Sequence, residues 1–281
     1  MLALLSSAIW GTSDFLGGTA TRRMHPIAVV IVSTVFGGAA ALVAAAATGA
    51  ITAGPGYLGW AALASVSGTT GVVAFYQALA TGTMGVIAPT AALGVVVPVI
   101  VGLGQGDRPG LAQDAGIVVA IAGVVLASGP EIRAAQGPRA AAVRPLLLAL
   151  LAAVGFGVAF VAIAHGAETS TLMTLFSMRA ISLVLLLVVA AALGSRRVVI
   201  EPGLVPLVGV VGLLDVSANA TFAYATRHGL LSLVSVLSSL YPAVTVLLAR
   251  FVHVERLRPV QLAGVAGALA GVALIASGGA G

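Results

Sequence analysis

Apolar residues in this chain come in long runs without a period of two, each close to the roughly 20 residues an α-helix needs to cross about 30 Å of hydrocarbon. Ten such runs can be read, near 2–19, 26–48, 57–80, 83–105, 112–129, 145–166, 171–193, 203–226, 230–252 and 259–279. Little chain is left between them. The longest polar stretch is PEIRAAQGPRAAAVR, 130–144, so a separate water-exposed domain has nowhere to fold and function is expected among the helices. The pattern predicts an all-α integral membrane protein with ten transmembrane helices.

Composition supports the same class. Hydrophobic residues make up 60% of the chain and charged residues only 7%, and the mean hydropathy of +1.16 is far from that of a water-soluble domain. The opening MLALLSSAIWGTSDFLGG has no basic leader and acquires Trp10 and Asp14, so it reads as a retained helix and not as a cleaved signal. With no cysteine, the chain has no disulfide, thiolate metal site or cysteine nucleophile.

The second organisational signal is an internal repeat. Phe75, Ala78 and Gly82 recur as Phe222, Ala225 and Gly229, an offset of 222 − 75 = 147. One residue further on, at 255 − 107 = 148, Asp107, Gln113, Gly116 and Gly123 fall on Glu255, Gln261, Gly264 and Gly271. Each half then holds five spans. An odd number makes the second copy enter the bilayer from the opposite face, giving two inverted five-helix repeats around a central cavity. The expected units are 1–129, a connecting loop 130–144, and 145–281.

Polar side chains inside such spans are costly, about 2.5–3.5 kcal/mol for a central carboxylate, and so mark candidate sites. Asp215 falls near the middle of the eighth run with Asn219 four residues on, one helical face facing either a substrate or proton site or an interhelical hydrogen-bond clamp. Asp14, Trp10 and Ser7 share a face of the first run, which suits a cationic guest or, equally, an interfacial belt. Arg179, eight residues into the seventh run, calls for a carboxylate partner, head groups or an anionic substrate. Tyr76 and Gln77 correspond in the repeat to Ala223 and Tyr224. Ser232, Ser235 and Ser239 form a hydroxyl stripe leading to Tyr241 and Pro242, and it also suits close helix packing. Pro89, Pro98 and Pro242 are expected to break their helices. Gly264, Gly267 and Gly271 make a smooth face for packing or a homodimer contact, while His165 and Glu168 read as loop residues.

Three stretches carry a family resemblance: AIWGTSDFLGG, FYQALATGTMGVIAP and LSSLYPAVTVLLARFVHVERLRPVQLAGVAGALAGVALI. Across nearly its whole length the chain resembles the drug/metabolite transporter superfamily, EamA type. The resemblance implies two five-helix bundles around a cavity and transport of small metabolites or drugs, commonly outward. Family members often carry an arginine in the second span of each half. Here the second half has Arg179 in LFSMRAISL, and the matching VIVSTVFGG has no basic residue.

All 13 basic residues are arginines. Arg22, Arg23, Arg133, Arg139, Arg144, Arg196, Arg197, Arg250, Arg256 and Arg258 follow odd-numbered runs, against Arg108 and Arg227 on the other side. By the positive-inside rule the first group is cytoplasmic and both termini external, whereas the resemblance implies internal termini. The arginines are scattered without an aromatic-basic surface, which argues for loop topology and against nucleic-acid binding. No HExxH, GxSxG or phosphate-binding loop appears, and His25, His165, His228 and His253 are dispersed, so no enzyme, ATP-driven pump, metal site or cofactor is expected. The expected partners are a small-molecule substrate and the lipid of the cell membrane. A facilitative channel-like carrier and a membrane scaffold or sensor are the rival readings.

Overall fold

A computed structural model of the chain describes residues 1–81, 84–134, 139–192, 198–253 and 259–277. Every regular element among these residues is helical. They are α1 (Leu2–Ala20), α2 (Pro26–Ala47), α3 (Leu58–Thr81), α4 (Met84–Ala92), α5 (Val96–Gly104), α6 (Leu111–Ala134), α7 (Arg139–Ala192), α8 (Val205–Thr226), α9 (Leu231–Ser238), α10 (Tyr241–His253) and α11 (Pro259–Ser277). Among the described residues, four stretches are long and apolar enough to cross a membrane: Pro26–Ala47, Pro55–Thr81, Arg144–Ala192 and Pro202–Thr226.

Local chemistry sets several boundaries. The imidazole of His25 accepts a hydrogen bond from the Ile27 amide at 3.3 Å and Pro26 occupies the first turn, so α2 starts there. α7 is continuous except at Ser170, whose φ of −162° and ψ of 112° are extended and divide it into arms 139–169 and 171–192. The Ser170 hydroxyl accepts from the Met173 amide, capping the second arm. The run expected at 83–105 is interrupted by a 3₁₀ turn, Leu93–Val95, between α4 and α5. Pro98 cannot donate to the Gly94 carbonyl, which weakens the α-helical ladder at that turn. The run at 230–252 breaks at Ser239 and Leu240, and α10 begins afresh beside Pro242. The segment 130–144 was expected to be a loop, but 130–134 continue α6 and 139–144 begin α7. Its alanines and arginines are strong helix formers.

Helices meet where side chains vanish. A Cβ on Gly155 of α7 would lie 2.6 Å from the Ser67 carbonyl oxygen and 2.9 Å from the Gly71 Cα of α3, so these two helices touch backbone to backbone. α2 and α8 cross in the same manner, where a Cβ on Gly37 would lie 2.8 Å from the Gly212 carbonyl oxygen. Such crossings suit a membrane, where apolar area gives no drive for helix association and close van der Waals contact supplies it. α1 packs on α8 and α10, and α6 packs on α11.

Polarity runs outward to inward in the reverse of a soluble protein. Ser65 and Thr174 are fully buried and Asn219 is 6% exposed, while Val184, Val188 and Leu147 are each 60% exposed or more. An outer face of this kind is matched by lipid.

Candidate functional site

Asp215 sits midway along the 22-residue α8. Donors from three helices answer it. The guanidinium of Arg179 on α7 forms an ion pair with it. The Trp10 indole N–H on α1 donates to its Oδ1 at 3.2 Å. The Asn219 amide, one turn along α8, donates to the Asp215 carbonyl at 2.7 Å and to Oδ2 at 3.3 Å. Helical i,i+4 spacing puts Asn219 in reach, and its bond to the backbone fixes the amide. Arg179 is thereby paired with a carboxylate, one of the alternatives open from sequence.

The pair borders a cavity with about 90 Å³ of room for water centres, enough for on the order of six waters. Helices of both halves enclose it: α1, α2 and α3 from the first, α7, α8 and α10 from the second. Trp10 stacks on Phe160 with centroids 5.1 Å apart, and Phe222 lies 5.0 Å from Phe160 and 5.8 Å from Trp10. The three rings form an apolar wall beside the charged pair.

Asp14, Tyr76 and Tyr241 line the same cavity. Gly17 leaves room for the Tyr76 hydroxyl, which a Cβ there would strike. The Tyr241 hydroxyl is buried and has no hydrogen-bond partner among the described residues. Seven of the residues singled out from sequence thus meet in one place: Trp10, Asp14, Tyr76, Arg179, Asp215, Asn219 and Tyr241. The others do not. Gln77 is outside the lining, Tyr224 is 40% exposed on the outer face, Ser235 is buried in α9, and Ser239 bonds back to the Val236 carbonyl at 2.8 Å beside a separate small void.

Sequence reasoning missed a hydroxyl cluster. Thr69 donates to the Ser182 hydroxyl at 2.6 Å, and Ser65 bonds the same oxygen at 3.0 Å. Thr69 and Ser182 border the cavity. The available signals were the i,i+3 spacing of Arg179 and Ser182 and the i,i+4 spacing of Ser65 and Thr69. His165, read as a loop residue, lies in the first arm of α7, stacks on Trp60 at 4.6 Å and bonds Gln105 at 2.8 Å. Gly264 and Gly267 fall on α11, and Gly267 faces Gly123 of α6.

An apolar-coated helical bundle with an ion pair beside an internal cavity defines an integral membrane protein. The EamA-like transporter family matches residues 1–129 and again 143–277, and the chain belongs to that family. Among the solved structures similar in fold is a crystal structure with a TM-score of 0.75 and 20% identity, covering 98% of this chain and 95% of that one. No curated protein sequence matches.

Proposed function

We propose that the chain is a secondary transporter that moves a small metabolite or drug across the cell membrane by alternating access, in the outward direction and with proton coupling. On this reading residues 1–129 and 145–281 are five-span repeats of opposite sense joined by 130–144, and α4 with α5, the two arms of α7, and α9 with α10 complete ten spans. The observation that carries it is the position of the Arg179–Asp215 pair, deep among apolar helices yet bordering a cavity that both halves enclose. A pair serving only as a clamp needs no solvent space beside it. Broken helices at 93–95 and 239–240, which share a separate small void, supply hinge points for exposing the cavity to either side.

Reconstitution into proteoliposomes tests this. Counterflow of an amine, amino-acid, nucleoside and organic-acid panel is expected to show saturable flux of at least one class, altered in rate by Asp215→Asn. Flux indifferent to every ion gradient indicates a facilitative carrier. Absence of flux for the whole panel indicates a scaffold or sensor.

A further inference from the structure

Two carboxylates and one guanidinium line the cavity, and the carboxylates have unlike surroundings. Asp215 is saturated by Trp10, Arg179 and Asn219. Asp14 projects from α1 one turn beyond Trp10, and among the described residues its carboxylate has no hydrogen bond and no ion pair. The titratable and charged groups that share the cavity with it are Asp215 of α8, Arg179 of α7, Tyr76 of α3 and Tyr241 of α10. α2 contributes only Val30, Ser33 and Thr34, and α9 contains no ionisable side chain. Since Arg179 is engaged by Asp215, the cavity is short of one positive charge.

We infer that Asp14, and not Asp215, is the exchangeable anionic site of the cavity, holding either one proton or one small organic monocation. This rests on the transport reading and names its substrate class. A lone ionised carboxylate at this depth is costly, and a proton or a cation relieves it equally well in charge. Both cannot be held at once. Binding of an ammonium therefore releases the carboxyl proton to water, and the cavity's net charge stays constant through the exchange. An anion or a neutral molecule leaves the carboxylate's need unmet. The Trp10 and Phe160 rings beside the site take the cation's apolar body, and the indole face adds cation–π attraction.

The test uses the purified full chain in micelles at low buffering, with phenethylammonium as probe and 3-phenylpropionate and phenethyl alcohol as matched anion and neutral controls. Calorimetry with a pH indicator is expected to show the cation alone binding, releasing up to about one proton per molecule bound, and binding less tightly as pH falls. Asp14→Asn, a near-isostere at an unpartnered side chain, should weaken binding about 30-fold or more and end proton release. Asp14→Glu should restore both, which separates loss of the site from loss of the fold. Equal binding by the anion or the alcohol, no binding by the cation, or proton release that survives Asp14→Asn overturns the inference. Binding in micelles is independent of flux. A cation that binds with proton release but does not cross proteoliposomes sinks the transport reading alone, and flux that ignores Asp14→Asn sinks this inference alone.

Discussion

Removing either member of the Arg179–Asp215 pair should cost far more than removing both. Asp215→Asn keeps an acceptor for the Trp10 indole N–H but leaves Arg179 as an unmatched cation, whose Nε is already buried without a partner. Arg179→Met leaves Asp215 with two neutral donors, Trp10 and Asn219. Breaking a fully buried pair costs about 3–5 kcal/mol, whereas replacing both charges by groups of similar size is often close to neutral. The side chains here are 13% and 26% exposed, so cavity water lessens the loss to about 2–3 kcal/mol for each single variant. The double variant should lose about 1 kcal/mol, which makes the coupling about 3 kcal/mol or more. Reversible denaturant titration of the four proteins in micelles measures this double-mutant cycle. Additivity within about 0.5 kcal/mol would refute the claim that the two charges are held by each other.

Other expectations follow from single contacts. Gly212→Ala places a Cβ against the Ser33 carbonyl where α2 crosses α8, so a loss of about 1–3 kcal/mol is expected in the same titration, while Gly59→Ala, which meets nothing, stays near neutral. Tyr241→Phe removes a buried hydroxyl that has no partner among the described residues and should leave stability unchanged or slightly raised; a loss above about 1 kcal/mol would show that the hydroxyl is bonded. The Asp107 carboxylate accepts from the Ser232 amide at 2.9 Å, capping α9 from the far side of the α5–α6 turn. Asp107→Ala should cost about 1 kcal/mol and speed hydrogen exchange at the start of α9.

The helical class, the breaks near Pro98 and Pro242 and the division of α7 at Ser170 were legible in the chain, because they depend on run length and on proline and turn chemistry. The charged centre was legible for a related reason: Asp215 and Arg179 are too costly for lipid, and each is the strongest available answer to the other. Facing was harder to read. Tyr76 and Gln77 are neighbours, about 100° apart around α3, and only Tyr76 lines the cavity. Polar residues lie on the outer side of these helices too, Thr70 on α3 and Ser217 on α8, so polarity alone does not mark which way a residue turns. Tyr224 failed for that reason, and its repeat partner Gln77 with it. The hydroxyls of Ser65, Thr69 and Ser182 escaped notice because serine and threonine in such helices commonly bond their own backbone, as Thr70 does to Val66 at 2.8 Å. The roles of Asp215 and Asp14 could not be separated in the sequence, since only their surroundings distinguish them.

Access to the cavity from each membrane face in turn is the centre of this account, and the chain is suited to measuring it because it has no cysteine of its own. A single cysteine at Thr69 or Ser182, both small cavity-lining positions, reacts with a membrane-impermeant maleimide only where water admits thiolate and reagent together. In sealed vesicles of known orientation, labelling is expected from both faces, with cargo shifting the ratio between them. Labelling from one face only, under every cargo and gradient tried, would contradict alternating access.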